Sequence, residues 1–228
     1  MAGQPGFGYE PHEIDAVETA LSAERLLGYV STCGGDRRLA IKRYERNTSL
    51  SEALYGVVQG FEVALRNALT SAIATSLGSE WYHGFPLRAG QRAAVEEASQ
   101  KISRAGKLVS PSRVVANLTF GFWASLVGPH YEKTLWVKHL HRAFPHAKQT
   151  LSLSNGEQRV VTIPRARIAE RIDSIKALRN RIAHHEPILL FATEQRYCEI
   201  LEATAWICPT TSAWIALTNC FLVRLNDR

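Results

Sequence analysis

Arg179, Asn180 and His184 are the residues of this sequence whose types and spacing best fit a chemical site. A guanidinium holds a phosphate through two parallel hydrogen bonds, and an imidazole exchanges a proton near neutral pH. Together they suit phosphodiester transesterification, in which an RNA 2′-hydroxyl attacks the neighbouring phosphorus, and this chemistry needs no metal. The plain alternative is that all three residues only cap and solvate the end of a helix.

The pattern around these residues predicts a helix that begins at Pro164 and runs to about Glu186, where Pro187 stops it. At about 100° per residue, Asn180 and His184 share the polar side of this helix, whereas Arg179 lies about 140° from His184. Arg179 and His184 therefore reach one anion only if the Arg side chain swings round or the last turn is distorted. The apolar residues on the other side are Ile168, Ile172, Ile175, Leu178 and Ile182.

The stretch from Arg179 to His184 resembles the R-N-x-x-x-H motif of HEPN domains, and its context from Leu178 to Ile188 is similar to the Abi-like (abortive-infection) branch of that superfamily. Further stretches resemble the same branch in chain order over roughly residues 20–190. They are Leu21-Ser22-x-x-Arg25-Leu26-x-x-Tyr29, Tyr44-x-x-Asn47-x-x-Leu50-Ser51-x-Ala53-Leu54, Phe61-Glu62-Val63-Ala64-Leu65-Arg66-Asn67-Ala68, Leu118-Thr119-Phe120-Gly121-Phe122-Trp123, Leu135-Trp136 and Ala143-Phe144-Pro145.

The resemblance implies an all-α domain with two long antiparallel helices that acts as a metal-independent endoribonuclease in bacterial phage defence or a toxin–antitoxin system. It implies that Arg179 stabilises the phosphorane, that His184 acts as acid or base, and that Asn180 orients the site. His185, next to His184, is a further candidate for a supporting role. It also implies a homodimer with a composite active site, RNA as substrate, an antitoxin or other defence-system partner, and no cofactor. Two alternatives stay open: a HEPN module that binds RNA, nucleotide or protein without cleaving, and a purely structural oligomerisation domain.

Glu62, Arg66 and Asn67 form a polar set within the most apolar predicted helix. Glu62 and Arg66 stand four residues apart, which is the spacing of an ordinary ion pair along one helix. The alternative is that one of them crosses to the helix of Arg179 and supports the cleft, because a charged pair amid an apolar stripe needs a partner.

The basic residues before the motif are candidates for contact with RNA phosphates, which would make binding sensitive to salt. The alternative is a solvated basic helix face. The candidate RNA-binding residues are Arg165, Arg167, Arg171, Lys176 and Arg181.

The chain is predicted to fold as an all-α helical bundle with one short hairpin near residues 151–163, where alternating residues flank Asn155-Gly156. Residues 1–12 are predicted to be a flexible arm, and residues 13–228 a single domain. Helices are predicted from Ile14 to Tyr29, from Asp36 to Arg46, over 49–77, 90–105, 111–127, 164–186, 193–207 and 211–225, with Ser22 able to restart a helix in the first of these. Phe120, Phe122, Trp123 and Trp136 are predicted to be core residues.

The composition excludes several classes of protein. Of 228 residues, 46% are hydrophobic and 21% charged, which excludes a disordered chain, and the formal net charge of +6 fits a polyanion partner. No cysteine pair has zinc or thioredoxin spacing, and His139, His141 and His146 lack a neighbouring carboxylate, so no metal is expected. With no signal peptide and no long apolar run, the chain is predicted to be cytoplasmic, with reduced, buried thiols.

Overall fold

The computed structural model describes residues 7–152 and 156–227, and these form eleven α-helices and one two-stranded hairpin. With 72% helix and 5% strand, the prediction of an all-α fold with a short hairpin is confirmed. The helices are α1 Pro11–Leu21, α2 Ala23–Thr32, α3 Arg37–Leu77, α4 Trp81–Gly84, α5 Ala89–Arg104, α6 Pro111–Asn117, α7 Phe120–Leu126, α8 Arg165–Ala183, α9 Thr193–Ile207, α10 Pro209–Thr218 and α11 Phe221–Asn226. Short 3₁₀ and π turns span Pro129–Tyr131, Glu132–Trp136 and Leu140–Ala143.

Helix α3 is a single element of 41 residues, although the sequence predicts two helices in this stretch. Asp36 caps its first turn as predicted, because the Asp36 carboxylate accepts a hydrogen bond of 2.9 Å from the Leu39 amide. Ser49 was predicted to begin a second helix, and that prediction is wrong. Ser49 and Glu52 have the spacing of a capping box, but the helix continues through them because Ala40, Ile41, Asn47 and Leu50 are buried on both sides of the expected break.

The main core is built on the apolar stripe of α3. Eight residues that the spacing predicts for this stripe are all buried, as are the five predicted inward residues of α8. Phe120, Phe122 and Trp123 are buried as predicted, and Trp136 is half-buried against the same core. The stripe consists of Leu50, Leu54, Val57, Val58, Phe61, Leu65, Leu69 and Ile73.

Two predicted helices are each divided into shorter ones. The stretch 111–127 breaks between α6 and α7, where the Thr119 hydroxyl caps a new helix by accepting a hydrogen bond from the Phe122 amide. The stretch 211–225 breaks at Asn219, whose side chain donates to the Ala53 carbonyl and accepts from the Phe221 amide, each at 2.8 Å. Asn219 therefore ties the chain to α3 instead of continuing the helix.

The predicted hairpin is present as β1 (Lys148–Ser152) paired antiparallel with β2 (Gln158–Thr162). Lys148 lies opposite Thr162 and Ser152 opposite Gln158. Asn155 of the expected turn lies outside the described residues, and Gly156 has φ of +83°, a conformation that favours glycine. Both strands are exposed along almost their whole length, so the hairpin projects from the helical core.

The prediction of buried thiols is wrong. Cys198 and Cys220 are exposed, and Cys33 and Cys208 are half-buried. The reason is helical phase, because Tyr197 and Phe221, the neighbours of the two exposed cysteines, take the inward positions and stack at 4.8 Å between ring centroids. Of the predicted N-terminal arm, the described part begins at Phe7, and α1 begins at Pro11.

The close approach of α10 to α3 at Gly60 predicts opposite effects for two glycine substitutions. A β-carbon at Gly60 would lie 2.5 Å from Cδ1 of the buried Ile215, whereas one at Gly28 in α2 would meet nothing within 4 Å. We expect Gly60→Ala to lower the free energy of unfolding by about 1–3 kcal/mol through overpacking, and Gly28→Ala to raise it by about 0.5–1 kcal/mol. Urea denaturation of both variants measures this, and a Gly60→Ala protein as stable as Gly28→Ala would contradict it.

Candidate functional site

The candidate site lies where α8 ends, in a turn that contains both histidines of the motif. His184 is the C-cap residue, and His185 follows with φ of +57° in the left-handed region. The Glu186 amide donates to the Arg181 carbonyl at 2.8 Å and the His185 amide donates to the Ile182 carbonyl at 3.0 Å, which is a Schellman turn. The helix thus stops at Ala183, before the predicted end at Glu186, because this turn reverses the chain ahead of Pro187.

Three side chains from three helices hold this turn. Arg25 of α2 donates from Nη1 to the His185 carbonyl at 3.0 Å, and the Ile188 amide donates to Oδ1 of Asn47 in α3 at 2.7 Å. Arg181 donates to the Pro187 carbonyl at 3.1 Å and pairs with the Glu186 carboxylate at 3.0 Å. A left-handed residue other than glycine costs of the order of 1 kcal/mol, and these bonds fix it in place.

Contacts with α3 show the direction of α8. Arg179 faces Glu62, Ile182 and Ala183 share a groove with Ser51 and Tyr55, and Ile188 reaches Asn47. The residue numbers of the partners on α3 therefore decrease as the residue numbers along α8 and its turn increase. The two segments run in opposite directions past each other.

Arg179 carries a guanidinium that is only loosely engaged. Its Nε lies 3.9 Å from Oε2 of Glu62, too far for a hydrogen bond, and the side chains are 34% and 25% exposed. That Nε is buried and has no hydrogen-bond partner within residues 7–152 and 156–227. No hydrogen bond to another described residue thus holds the Arg179 guanidinium, and an anion that binds it would displace its contact with Glu62.

His184 and Asn180 are exposed, and His184 lies on the side of the turn that faces α2. His184 lines a groove of about 320 Å³ together with Ser22, Arg25, Tyr29 and Pro187. Arg179 is not among the residues that line this groove in the described part of the chain. A single chain therefore presents Arg179 and His184 to neighbouring regions rather than to one shared pocket.

A second groove of about 640 Å³ adjoins the other side of the turn. His185 lines it with Tyr44, Ser51 and Tyr55 of α3 and with Ala183 of α8. His185 lines both grooves, so the turn separates them. Tyr29 and Tyr44 link the two walls through an edge-to-face contact with ring centroids 5.5 Å apart.

The structure divides the polar set of Glu62, Arg66 and Asn67. Glu62 crosses to α8, and no ion pair joins it to Arg66. Arg66 and Asn67 instead contact each other, with Nε of Arg66 3.4 Å from Oδ1 of Asn67, and line a separate groove of about 410 Å³ beside α6. Only Glu62 of the three is thus brought to the Arg179 side of α8.

Most of the predicted RNA-binding residues face acidic partners inside the chain. Arg167 is exposed and has no ion-pair partner in the part of the chain that the structure describes. The other four pair as Arg165 with Glu132 at 3.5 Å, Arg171 with Glu202 at 2.9 Å, Lys176 with Asp173 at 2.5 Å, and Arg181 with Glu186 at 3.0 Å. Their charges are largely offset, so α8 does not present a continuous row of free cations.

Arg25, Tyr29 and Asn47 take part in the site although the sequence analysis gave them no role. They lie in the two stretches, beginning at Leu21 and at Tyr44, that also carry the family resemblance. No periodicity or spacing could connect them with His184, because Arg25 and Asn47 stand 160 and 141 residues from their bonded partners.

Two searches of the described residues concern other kinds of site. No three His, Cys, Asp or Glu side chains lie close enough together there to hold a metal ion. None of the helices in residues 7–152 and 156–227 has the length and apolar character required to cross a membrane.

The hydrogen bond from Ile188 to Asn47 predicts a large cost for a small substitution. Asn47 is only 4% exposed, so Asn47→Ala leaves the Ile188 amide buried and unpaired, and we expect it to lower the free energy of unfolding by about 1–3 kcal/mol. The exposed Asn117→Ala is the matched control and should change it by less than about 0.5 kcal/mol. Hydrogen exchange should also show faster exchange of the Ile188 amide in Asn47→Ala, and unchanged protection would contradict the role of Asn47.

Tyr29 predicts a pH dependence of stability at the alkaline end. Burial is the main cause that raises the pKa of Tyr29, with Tyr44 adding to it and Arg25 opposing it. A pKa that is higher in the folded than in the unfolded protein contributes stability that is complete below about pH 10 and lost as the pH rises through the folded-state pKa.

Tyr29→Phe should therefore lose less stability than wild type between about pH 10 and 11. Near pH 7 it should be at least as stable as wild type to within about 1 kcal/mol, because the Tyr29 hydroxyl is buried without a hydrogen-bond partner among the described residues. Urea denaturation across this pH range measures both effects. Parallel losses in the two proteins would contradict the assignment.

Comparison with known proteins adds no family: no protein-family model, no curated protein and no solved structure matches the chain. What the turn can do rests on its own residues, which are a loosely held guanidinium, two imidazoles and the side chains of α2 and α3 that fix them.

Proposed function

We propose that this chain is a HEPN-type, metal-independent endoribonuclease of a bacterial phage-defence or toxin–antitoxin system, with Arg179 and His184 as its catalytic residues. One observation carries the proposal: near the end of α8, the Arg179 guanidinium and the His184 imidazole, five residues apart, both stay free of hydrogen bonds to the described residues. Groups left free in this way are suited to a substrate, because only the loose contact of Arg179 with Glu62 has to be displaced.

The chemistry assigned to these groups is cleavage of RNA by its own 2′-hydroxyl. The 2′-oxygen loses its proton to a base and bonds to the adjacent phosphorus, and the bond from phosphorus to the 5′-oxygen breaks as that oxygen gains a proton from an acid. Arg179 stabilises the charge on the phosphorane oxygens, and His184 moves one of the two protons. The products are a 2′,3′-cyclic phosphate and a 5′-hydroxyl.

A homodimer is part of the proposal, because a single chain directs Arg179 toward Glu62 and His184 toward α2. Two turns that face each other across a two-fold axis would bring both pairs of side chains to one cleft. Asn180 and His185 line the approach to it as supporting residues. Antitoxin or other defence-system partners would bind outside this cleft or cover it.

A module that binds RNA, nucleotide or protein without cleaving is the second candidate function. The pairing of Arg179 with Glu62 favours it, because a neighbouring carboxylate offsets the positive charge that Arg179 would need to stabilise a phosphorane. The appearance of new RNA ends distinguishes the two candidates, because only the first candidate breaks a phosphodiester bond.

The catalytic proposal predicts RNA cleavage in the presence of EDTA that depends on two side chains. We expect Arg179→Ala and His184→Ala each to lower the cleavage rate by about 10²- to 10⁴-fold, because each removes a group that acts on the transition state. Arg104→Ala and His12→Ala, both exposed and far from α8 in sequence, are matched controls and should cleave at the wild-type rate. Gel analysis of the RNA ends measures rate and product together.

Mixing the two inactive variants tests the composite site. A mixed dimer supplies one Arg179 and one His184 to the shared cleft, so partial activity should return on mixing if the cleft is composite. The catalytic proposal is contradicted if wild-type protein leaves RNA intact, or if cleavage survives both substitutions. The binding module would then be the better description. Cleavage by a monomeric wild-type protein would contradict the homodimer but not the catalytic residues.

A further inference from the structure

The net positive charge of this chain arises from one stretch of its sequence. Residues 98–156 hold eight Lys and Arg against a single acid, Glu132, while the rest of the chain holds 19 Lys and Arg against 20 Asp and Glu. The carboxylate of Glu132 is already engaged with Arg165 on α8. The stretch therefore carries the uncompensated positive charge of the chain.

Three Lys and Arg of this stretch, together with two histidines, lie on the 3₁₀ and π turns between α7 and the hairpin. Leu135, Leu140 and Ala143 are buried there and point the segment's apolar side into the core. The polar residues consequently face outward, and all but the half-buried His139 are exposed. We call this set the basic surface; it consists of Lys133, Lys138, His139, His141 and Arg142.

The turns are anchored well enough to present these cations in a fixed place. Trp136 packs on Phe144 with ring centroids 5.7 Å apart, and Nδ1 of His141 lies 3.1 Å from the Trp136 carbonyl oxygen. The His139 amide donates to the Leu135 carbonyl at 2.8 Å. A ligand that binds here does not have to order a loose loop first.

No carboxylate within residues 7–152 and 156–227 forms an ion pair with Lys133, Lys138 or Arg142. This distinguishes them from Arg165, Arg171, Lys176 and Arg181 of α8, each of which has an acidic partner. Burial is the main cause that lowers the pKa of His139, and the positive charges around it, Arg142, Lys138 and His141, lower it further. An anion would relieve this repulsion.

We propose that the basic surface binds the phosphate backbone of single-stranded RNA, and so forms a substrate-holding region separate from the turn at the end of α8. This inference rests on the proposed function for the identity of its polyanion and deepens it. Exposed, unpaired cations bind phosphates without reading base sequence, and release counterions as they do so. An anionic membrane is the weaker fit, because the segment consists of short turns and has no amphipathic helix with an apolar face to insert.

The test measures RNA binding by the full-length His184→Ala protein, so that cleavage cannot interfere. Binding of a fluorescent single-stranded RNA of about 20 nucleotides and mixed sequence is measured between about 50 and 300 mM KCl. Over this range, phosphate contacts make the affinity depend on salt. The test variant carries Lys133→Gln, Lys138→Gln and Arg142→Gln. The matched control carries Lys101→Gln, Arg104→Gln and Lys107→Gln, which removes the same charge from exposed residues at the end of α5.

We expect the test variant to bind RNA roughly tenfold or more weakly at low salt, with a slope of log affinity against log salt that is smaller by about 2, since each lost contact with a single strand removes about 0.7. The control should keep the affinity and slope of the parent protein. His139 gives a second readout in NMR titrations with and without RNA. Adding RNA should raise the pKa of His139 in the parent protein, because a bound phosphate favours the protonated imidazole, and should not change it in the test variant.

Equal losses in the test and control variants, or no loss in either, would overturn the inference, and so would preferential binding to phosphatidylserine vesicles through the same three residues. Thermal melting and the single variants Lys138→Gln and Arg142→Gln distinguish lost contacts from lost folding. The two proposals can fail separately. Charge-specific binding by a wild-type protein that never cleaves overturns the nuclease alone, whereas cleavage with unchanged binding by the test variant overturns the basic surface alone.

Discussion

Burial of one apolar stripe on α3 constrains the helices of the main core. Helix α3 is about 62 Å long at 1.5 Å per residue, and no neighbour exceeds the 19 residues, or about 28 Å, of α8. Several shorter elements must therefore share the stripe along its length, and α7, α8, α9, α10 and α11 all contact α3, whereas α2 packs on its first turns in a separate cluster. The connections between them end at points fixed by where each helix reaches this common surface.

The candidate site inherits its geometry from two of these points on α3. Asn47 and Glu62 are 15 residues apart, which corresponds to about 22 Å along the helix. The two contacts differ in strength: the half-exposed pair of Arg179 and Glu62 contributes less than about 1 kcal/mol, whereas an unmade bond from the buried Ile188 amide would cost about 1–3 kcal/mol. The neutral hydrogen bond therefore positions the turn, and the ion pair leaves Arg179 free to exchange Glu62 for a ligand.

Local pattern predicted those parts of the structure that short-range physics decides. The stripe from Leu50 to Ile73, the cap at Asp36 and the antiparallel hairpin all follow from residues close together in the chain. The helix break expected at Ser49 failed because burial across residues 40–50 outweighs a capping bond. The break at Asn219 was missed because the carbonyl that its side chain binds belongs to Ala53, far away in sequence.

The site divides along the same line. The positions of His184 on the polar side of α8 and of Arg179 on its flank could be predicted from helical spacing, but their partners could not. Spacing within α8 predicts a row of basic residues. It cannot predict Glu132 and Glu202, which lie on other elements and pair with Arg165 and Arg171. The left-handed turn at His185 was equally out of reach, because bonds from α2 and α3 help to hold it.

The bonds from Arg25 to His185 and from Asn47 to Ile188 have a further consequence for the order of folding. They close loops of 160 and 141 residues, whereas the helices themselves close within a turn. Contacts of such long range form late, because chain entropy must first be lost in bringing distant segments together. On the ribosome, α2 and α3 emerge long before residue 188, so the turn is completed only after residue 188 has emerged. A nascent chain that ends before residue 185 would therefore contain Arg25 and Asn47 without the turn that they hold.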